Sequence, residues 1–220
     1  VHSHIQQEGE RKLCCVAKTF SQSSDQTNAK HDFKAYWNSN LMKSVRKAMM
    51  QGSPPKECQV CHGDYRYTTL PRDVYNSLYK HEETDILSKN ISEVFYQDLP
   101  RFFDYRMNRI CNFSCRMCNS TSSTTIKSLE VKADQFFEEG GDFSQYIYQE
   151  IRWFVESGKA DRFYFADGEP FLSPYHWNII ELLRKHNLQK QVTLVYNTNL
   201  SLFEYKGTSL KKELGDFSNI

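Results

Sequence analysis

Three cysteines fall within eight residues, in the run Cys111-Asn112-Phe113-Ser114-Cys115-Arg116-Met117-Cys118. A loop of that length brings three thiolates into one small volume. Thiolates are the soft ligands that iron–sulfur clusters favour. A four-iron cubane held by three thiolates leaves one iron without a protein ligand. That iron can bind a small molecule instead of only passing electrons. No histidine or fourth cysteine inside the run closes the site. A structural zinc site is the competing use of the same residue types.

Four more cysteines precede the run: the adjacent pair Cys14 and Cys15, and the CxxC pair Cys58 and Cys61. The total is odd, none of the seven stands alone, and no export signal opens the chain. Metal or iron–sulfur ligation is therefore a better reading than a secreted disulfide framework. By count the four can hold one further metal centre. Consecutive side chains on a strand point apart, so one of Cys14 and Cys15 is expected not to be a ligand. A CxxC pair leaves zinc and iron–sulfur both open. The seven histidines show no ligand spacing with a carboxylate partner and are read as non-ligands.

Two polar motifs lie downstream. Asp167-Gly168-Glu169-Pro170 sets a glycine turn beside two carboxylates at the end of the apolar run Arg162-Phe163-Tyr164-Phe165. Its plainest use is a helix-capping turn, with Glu169 favourably near the next helix N-terminus. Thr198-Asn199 follows another apolar run, and an Asx turn is its plainest use.

The elements that must position these motifs alternate. From Pro100 the pattern predicts a strand in Arg101-Phe102-Phe103-Asp104-Tyr105-Arg106-Met107 and a helix over 121–138, broken at Gly140-Gly141. A helix over 143–157 closed by Gly158, a strand over 162–165, a helix over 174–185 and a strand over 191–196 follow. A further helix is expected near Lys211-Lys212-Glu213-Leu214. Strand and helix in turn mean a parallel α/β sheet. Each polar motif then sits at the C-terminal end of a strand, where sites of barrels and open α/β sheets gather. Three strands do not close a barrel.

Before Pro100, residues 1–15 read as a hairpin ending in the cysteine pair. A helix is expected over 32–50, capped by Asn38 or Ser39 and ended by Gly52-Ser53-Pro54-Pro55. Residues 65–99 read as a connector with a helix around 72–80. The chain opens on Val1, already in strand-like alternation, which suggests a fragment.

In 220 residues, 28 Lys and Arg balance 27 Asp and Glu to a net charge of +1. That balance argues against a dedicated nucleic-acid or membrane-surface binder. No run of about 20 apolar residues spans a bilayer. Mean hydropathy is −0.67, offset by 15 Phe and 13 Tyr that supply core bulk.

At Cys111-x-x-x-Cys115-x-x-Cys118 the chain resembles the radical S-adenosylmethionine superfamily. The resemblance implies a [4Fe–4S] cluster on Cys111, Cys115 and Cys118, with S-adenosylmethionine chelated to the open iron. It implies a 5′-deoxyadenosyl radical that removes hydrogen from a peptide or small-molecule substrate. Met117 stands where the family has an adenine-side aromatic. Asp167-Gly168-Glu169-Pro170 resembles the family's GGEP segment, which receives the cofactor's ammonium; Asp167 replaces its first glycine. Thr198-Asn199-Leu200 resembles a TNG segment, with Leu200 for glycine and Asn199 facing cofactor or substrate. The hairpin, Cys14-Cys15, Trp37-Asn38-Ser39 and Cys58-x-x-Cys61 resemble a twitch domain, a shortened SPASM-type domain. That implies an auxiliary [4Fe–4S] cluster, with its fourth ligand upstream of Val1. The resemblance also implies a flavodoxin- or ferredoxin-like electron donor and a cytoplasmic setting. The expected architecture is α/β: a twitch-like α+β domain over 1–64, a connector over 65–99, and a portion of a parallel (β/α) barrel over 100–220. The rival expectation is a non-enzymatic iron–sulfur electron carrier or scaffold.

Overall fold

The computed structural model describes residues 2–6, 9–20, 27–62, 71–80, 100–130, 143–166 and 168–220. Asp167, most of the expected connector, and residues 131–138 of the helix expected over 121–138, with its break at Gly140-Gly141, lie outside the described residues. The chain divides into two compact units. Residues Lys12–Leu99 form one; Val1–Arg11 and Pro100–Ile220 form the other.

The Lys12–Leu99 unit holds α1 (Phe33–Trp37), α2 (Asn40–Met50), a 3₁₀ turn at Lys56–Cys58, α3 (Gln59–His62) and α4 (Pro71–Leu78). The single helix expected over 32–50 is two. Asp32 caps the first, accepting from the Ala35 amide at 3.0 Å. Ser39 has extended backbone and caps the second, accepting from Met42 N–H at 3.2 Å. A strong cap inside an apolar stripe interrupts the helix as readily as it starts one. Arg46 holds the two pieces together. Its guanidinium lies 4.8 Å over the Trp37 ring and donates to the Trp37 carbonyl at 2.6 Å.

The other unit is built on a five-stranded sheet in the order β2-β1-β3-β4-β5. These are β1 (His2–Ile5), β2 (Arg11–Lys12), β3 (Phe102–Tyr105), β4 (Arg162–Phe165) and β5 (Thr193–Tyr196). The pairs β1–β3, β3–β4 and β4–β5 are all parallel. Helices α5 (Thr124–Glu130), α6 (Ser144–Glu156) and α7 (Pro174–Lys185) fall between the strands. A ribbon of β6 (Glu204–Tyr205) and β7 (Thr208–Ser209) leads to α8 (Leu210–Leu214). Beyond β5, Asn219 makes a parallel bridge to Thr193, and its carbonyl accepts from Leu194 N–H at 2.9 Å.

The N-terminal hairpin is the main departure from expectation. Its first strand does not belong with the cysteine-rich residues to 64. It lies in register with β3, from His2↔Phe102 to Ile5↔Tyr105, and extends the later sheet. Buried polar contacts fix it there. The Ser3 hydroxyl lies 2.8 Å from Tyr105 Oη, which donates to Glu150 Oε1 at 2.5 Å. The Arg11 guanidinium forms a two-point ion pair with the same Glu150 carboxylate on α6.

Strand alternation sorts the sheet into two faces. Phe103 packs on Phe154 of α6 and Phe163 of β4, at ring distances of 4.7 and 5.4 Å. Ile147 and Ile151 of α6 and Ile179, Ile180 and Leu183 of α7 are also fully buried. Burying each such side chain contributes about 1.5–3 kcal/mol. The opposite face carries His4, Phe102, Asp104 and Tyr164. Among the described residues no helix is long and apolar enough to cross a membrane.

Candidate functional site

The cysteine run begins six residues after β3, and the chain between is held at several points. The Asn108 side chain accepts from Ile110 N–H at 2.8 Å and donates to Ser173 Oγ, the cap of α7, at 2.5 Å. Ser144 at the start of α6 donates to the Met107 carbonyl. Three hydroxyls at the start of α5 then grip the loop. Cys111 N–H donates to Thr124 Oγ1 at 3.1 Å, and Thr125 Oγ1 donates to the Cys111 carbonyl at 2.6 Å. Ser123 Oγ donates to the Phe113 carbonyl at 2.9 Å. Sequence reading missed this grip; the hydroxyl run Ser122-Ser123-Thr124-Thr125 was its visible signal.

Within the loop, Cys118 N–H donates to the Cys115 carbonyl at 3.0 Å, closing a tight turn. Phe113 N–H points at Cys111 Sγ from 3.4 Å. Partial burial pushes the Cys118 thiol up, and the neighbouring Cys115 and Cys111 sulfurs add to the shift. Among the described residues, no three His, Cys, Asp or Glu side chains are grouped to hold a metal ion. Cys111 and Cys115 are half-buried and Cys118 is exposed. Met117, expected on an adenine pocket, stands 92% exposed.

The Gly168-Glu169-Pro170 turn packs directly on the root of the cysteine loop. Glu169 N–H donates to the Ile110 carbonyl at 2.7 Å. Gly168 has φ +52°, and a Cβ there would run into that carbonyl oxygen. Only glycine satisfies both demands. Pro170 opens a buried 3₁₀ turn, Pro170–Leu172.

Glu169 itself is 0% exposed. Its Oε1 accepts from Thr198 Oγ1 at 2.8 Å and from Phe171 N–H at 3.3 Å. Its Oε2 lies 2.9 Å from Thr198 Oγ1 and accepts from Asn199 N–H at 2.9 Å. Asn199 in turn reaches the cysteine loop, donating through Nδ2 to Asn112 Oδ1 at 3.0 Å. Asn112 Nδ2 donates to Ser201 Oγ at 2.8 Å. The structure therefore ties the root of the cysteine loop, on either side of Cys111, to the Gly168-Glu169-Pro170 turn and to Asn199 at the C-terminal ends of β3, β4 and β5. Thr198 and Asn112, which join these loops, were not singled out for that role by sequence.

The sheet face opposite α6 adds a polar row. His4 Nδ1 lies 3.1 Å from Asp104 Oδ2, and Arg106 Nη2 lies 2.9 Å from Asp104 Oδ1. Arg106 also donates to the Ala166 carbonyl and lies 5.4 Å over the Tyr164 ring. It therefore anchors the backbone leading into the Gly168 turn.

In the Lys12–Leu99 unit, burial pushes the Cys14 thiol up, and nearby Cys61 adds to the shift. Cys15 and Cys58 are likewise half-buried. The chain matches no family model, no curated protein and no solved structure.

Proposed function

We propose that the chain is a radical S-adenosylmethionine enzyme, its sheet a portion of a (β/α) barrel, with an auxiliary [4Fe–4S] cluster on Cys58, Cys61 and one of Cys14 and Cys15. One observation carries the reading: the cysteine loop, the Gly168-Glu169 turn and the Thr198-Asn199 turn are hydrogen-bonded to one another at the ends of three adjacent parallel strands. The donor set fits a polynuclear centre. A single ion needs every sulfur about 2.3 Å from one point. A cubane spreads its thiolates over separate irons, which suits three cysteines on one loop of eight residues.

In this reading Cys111, Cys115 and Cys118 hold the cluster. When bound, the cluster and its cofactor supply a 5′-deoxyadenosyl radical that removes hydrogen from a peptide or small-molecule substrate. The protein's role is to bind, orient and shield. Phe113 N–H, aimed at the Cys111 sulfur, stabilises the thiolate's negative charge and raises the potential of a cluster bound there. Thr124 and Thr125 fix the backbone of Cys111 from both sides. A flavodoxin- or ferredoxin-like protein is the proposed electron donor.

Anaerobically reconstituted protein, reduced and given S-adenosylmethionine, is expected to release 5′-deoxyadenosine, and Cys115→Ala to release none. Absence of that product from the cluster-loaded protein would overturn the enzymatic reading. The electron-carrier reading draws on the wholly internal Glu169 carboxylate; it predicts cluster spectra that do not change when the cofactor is added.

A further inference from the structure

We infer that Glu169 is a positioning residue, locking the loop after β5 to the cysteine loop instead of meeting the ammonium of a bound cofactor. The inference rests on the proposed cofactor site and gives Glu169 a different role within it. An ionised carboxylate has about four acceptor positions. Here two N–H groups and one hydroxyl, all from the protein, occupy the two oxygens, at 2.8 to 3.3 Å. The side chain does not reach solvent. Three donors leave about one of those positions, and it is enclosed with the rest of the side chain, so a cofactor ammonium reaches it only by opening these loops.

The contacts close a circuit. Glu169 donates its own N–H to the Ile110 carbonyl, one residue before Cys111. Its carboxylate holds Thr198 and the Asn199 amide. The Asn199 side chain crosses to Asn112, one residue after Cys111, while its Oδ1 accepts from Ser201 N–H at 2.9 Å. Asn112 returns a second bond to Ser201. Cys111 is therefore bracketed by two residues that both connect, by different routes, to Glu169. The turn leaves Thr198 with Leu200 N–H donating to Thr198 Oγ1 at 3.0 Å, so the hydroxyl that binds the carboxylate also shapes the turn.

The test is hydrogen exchange on the metal-free full chain, followed by mass spectrometry. Glu169→Gln, Thr198→Val and Asn112→Ala are each expected to speed exchange about tenfold over residues 110–118 and 197–201, leaving α6 at the wild-type rate. Thr198→Ser, which keeps the hydroxyl, is expected to exchange as wild type. Unchanged exchange in Thr198→Val and Asn112→Ala would overturn the inference. If Glu169→Gln loosens the whole sheet, those two variants carry the test with the same pair of outcomes.

A second readout uses the reconstituted protein. Thr198→Val leaves the carboxylate in place, yet it is expected to broaden the electron paramagnetic resonance signal of the cofactor-bound cluster as Glu169→Gln does. A sharp wild-type signal in Thr198→Val beside a perturbed one in Glu169→Gln would assign the carboxylate to the cofactor and overturn the inference. Wild-type protein that takes up no cluster would overturn the proposed function and leave the exchange result standing.

Discussion

Gly168 and Leu200 occupy similar backbone conformations, with φ of +52° each, on neighbouring loops. Gly168→Ala adds a Cβ against the Ile110 carbonyl as well as left-handed strain. It is expected to cost at least about 2 kcal/mol in chemical denaturation. Leu200 stands 57% exposed where the resembled TNG segment has glycine, and its conformation is one that suits glycine. Leu200→Gly relieves the strain at some cost in unfolded-chain entropy, and a net gain of about 0.5 kcal/mol is expected in the same measurement.

His176 is 1% exposed and boxed by Phe165, Phe171, Trp177 and Tyr196. Burial lowers its pKa to about 3. The unfolded chain takes up a proton near pH 6.5 that the folded chain refuses until about 3. Stability from this group is therefore complete above about pH 6.5 and falls progressively as the pH drops toward 3. In His176→Phe the slope of unfolding free energy against pH, between about pH 6 and pH 4, is expected to shrink by about 1.4 kcal/mol per pH unit. An unchanged slope would mean the imidazole is protonated in the fold. At this scale the Gly168-Glu169 turn at the end of β4 was legible, because residue type and spacing carry it. Thr198 and Asn112 were not, since a threonine or an asparagine in a loop fits many roles until its partner some 29 to 87 residues away is known.

Among elements, β4 (Arg162–Phe165) and α7 (Pro174–Lys185) fall where periodicity and flanking turns predicted them. Both have local signals: an apolar run ended by a glycine turn, and a Ser173-Pro174 start. The split of α1 from α2 was half-legible, because Ser39 was named as a cap while the stripe across it argued for continuity. The partner of β1 was illegible. Alternation identifies a strand but not its neighbour, and β1 pairs with a segment about a hundred residues away. The buried Arg11–Glu150 pair holds that pairing against α6, and the Tyr105 hydroxyl shares the same carboxylate. Arg11→Met leaves Glu150 buried without its cation and is expected to cost about 3–5 kcal/mol. The double variant Arg11→Met with Glu150→Gln keeps an acceptor for Tyr105 and removes the stranded charge. It is expected to recover at least half of that loss in equilibrium denaturation; no recovery would mean that the loss comes from packing.

At the scale of the whole molecule, the parallel order of β3, β4 and β5 followed from alternating strands and helices. That order alone brings to one sheet end three motifs spread over about ninety residues. The division of the chain was read less well. The cysteines before Pro100 fall in one unit, but it spans Lys12–Leu99 instead of 1–64 and takes in the expected connector, while Val1–Arg11 group with Pro100–Ile220. The central claim is that Cys111, Cys115 and Cys118 hold a cluster with one iron free for a sulfonium cofactor. Its most direct measurement is electron paramagnetic resonance of the anaerobically reconstituted, reduced protein before and after adding S-adenosylmethionine. The account predicts a [4Fe–4S] signal that changes when the cofactor is added, in a variant lacking Cys14, Cys15, Cys58 and Cys61 as in the wild type, and that is absent from that variant once Cys115→Ala is added. A cluster signal indifferent to the cofactor, or zinc in place of iron at the triplet, would contradict it.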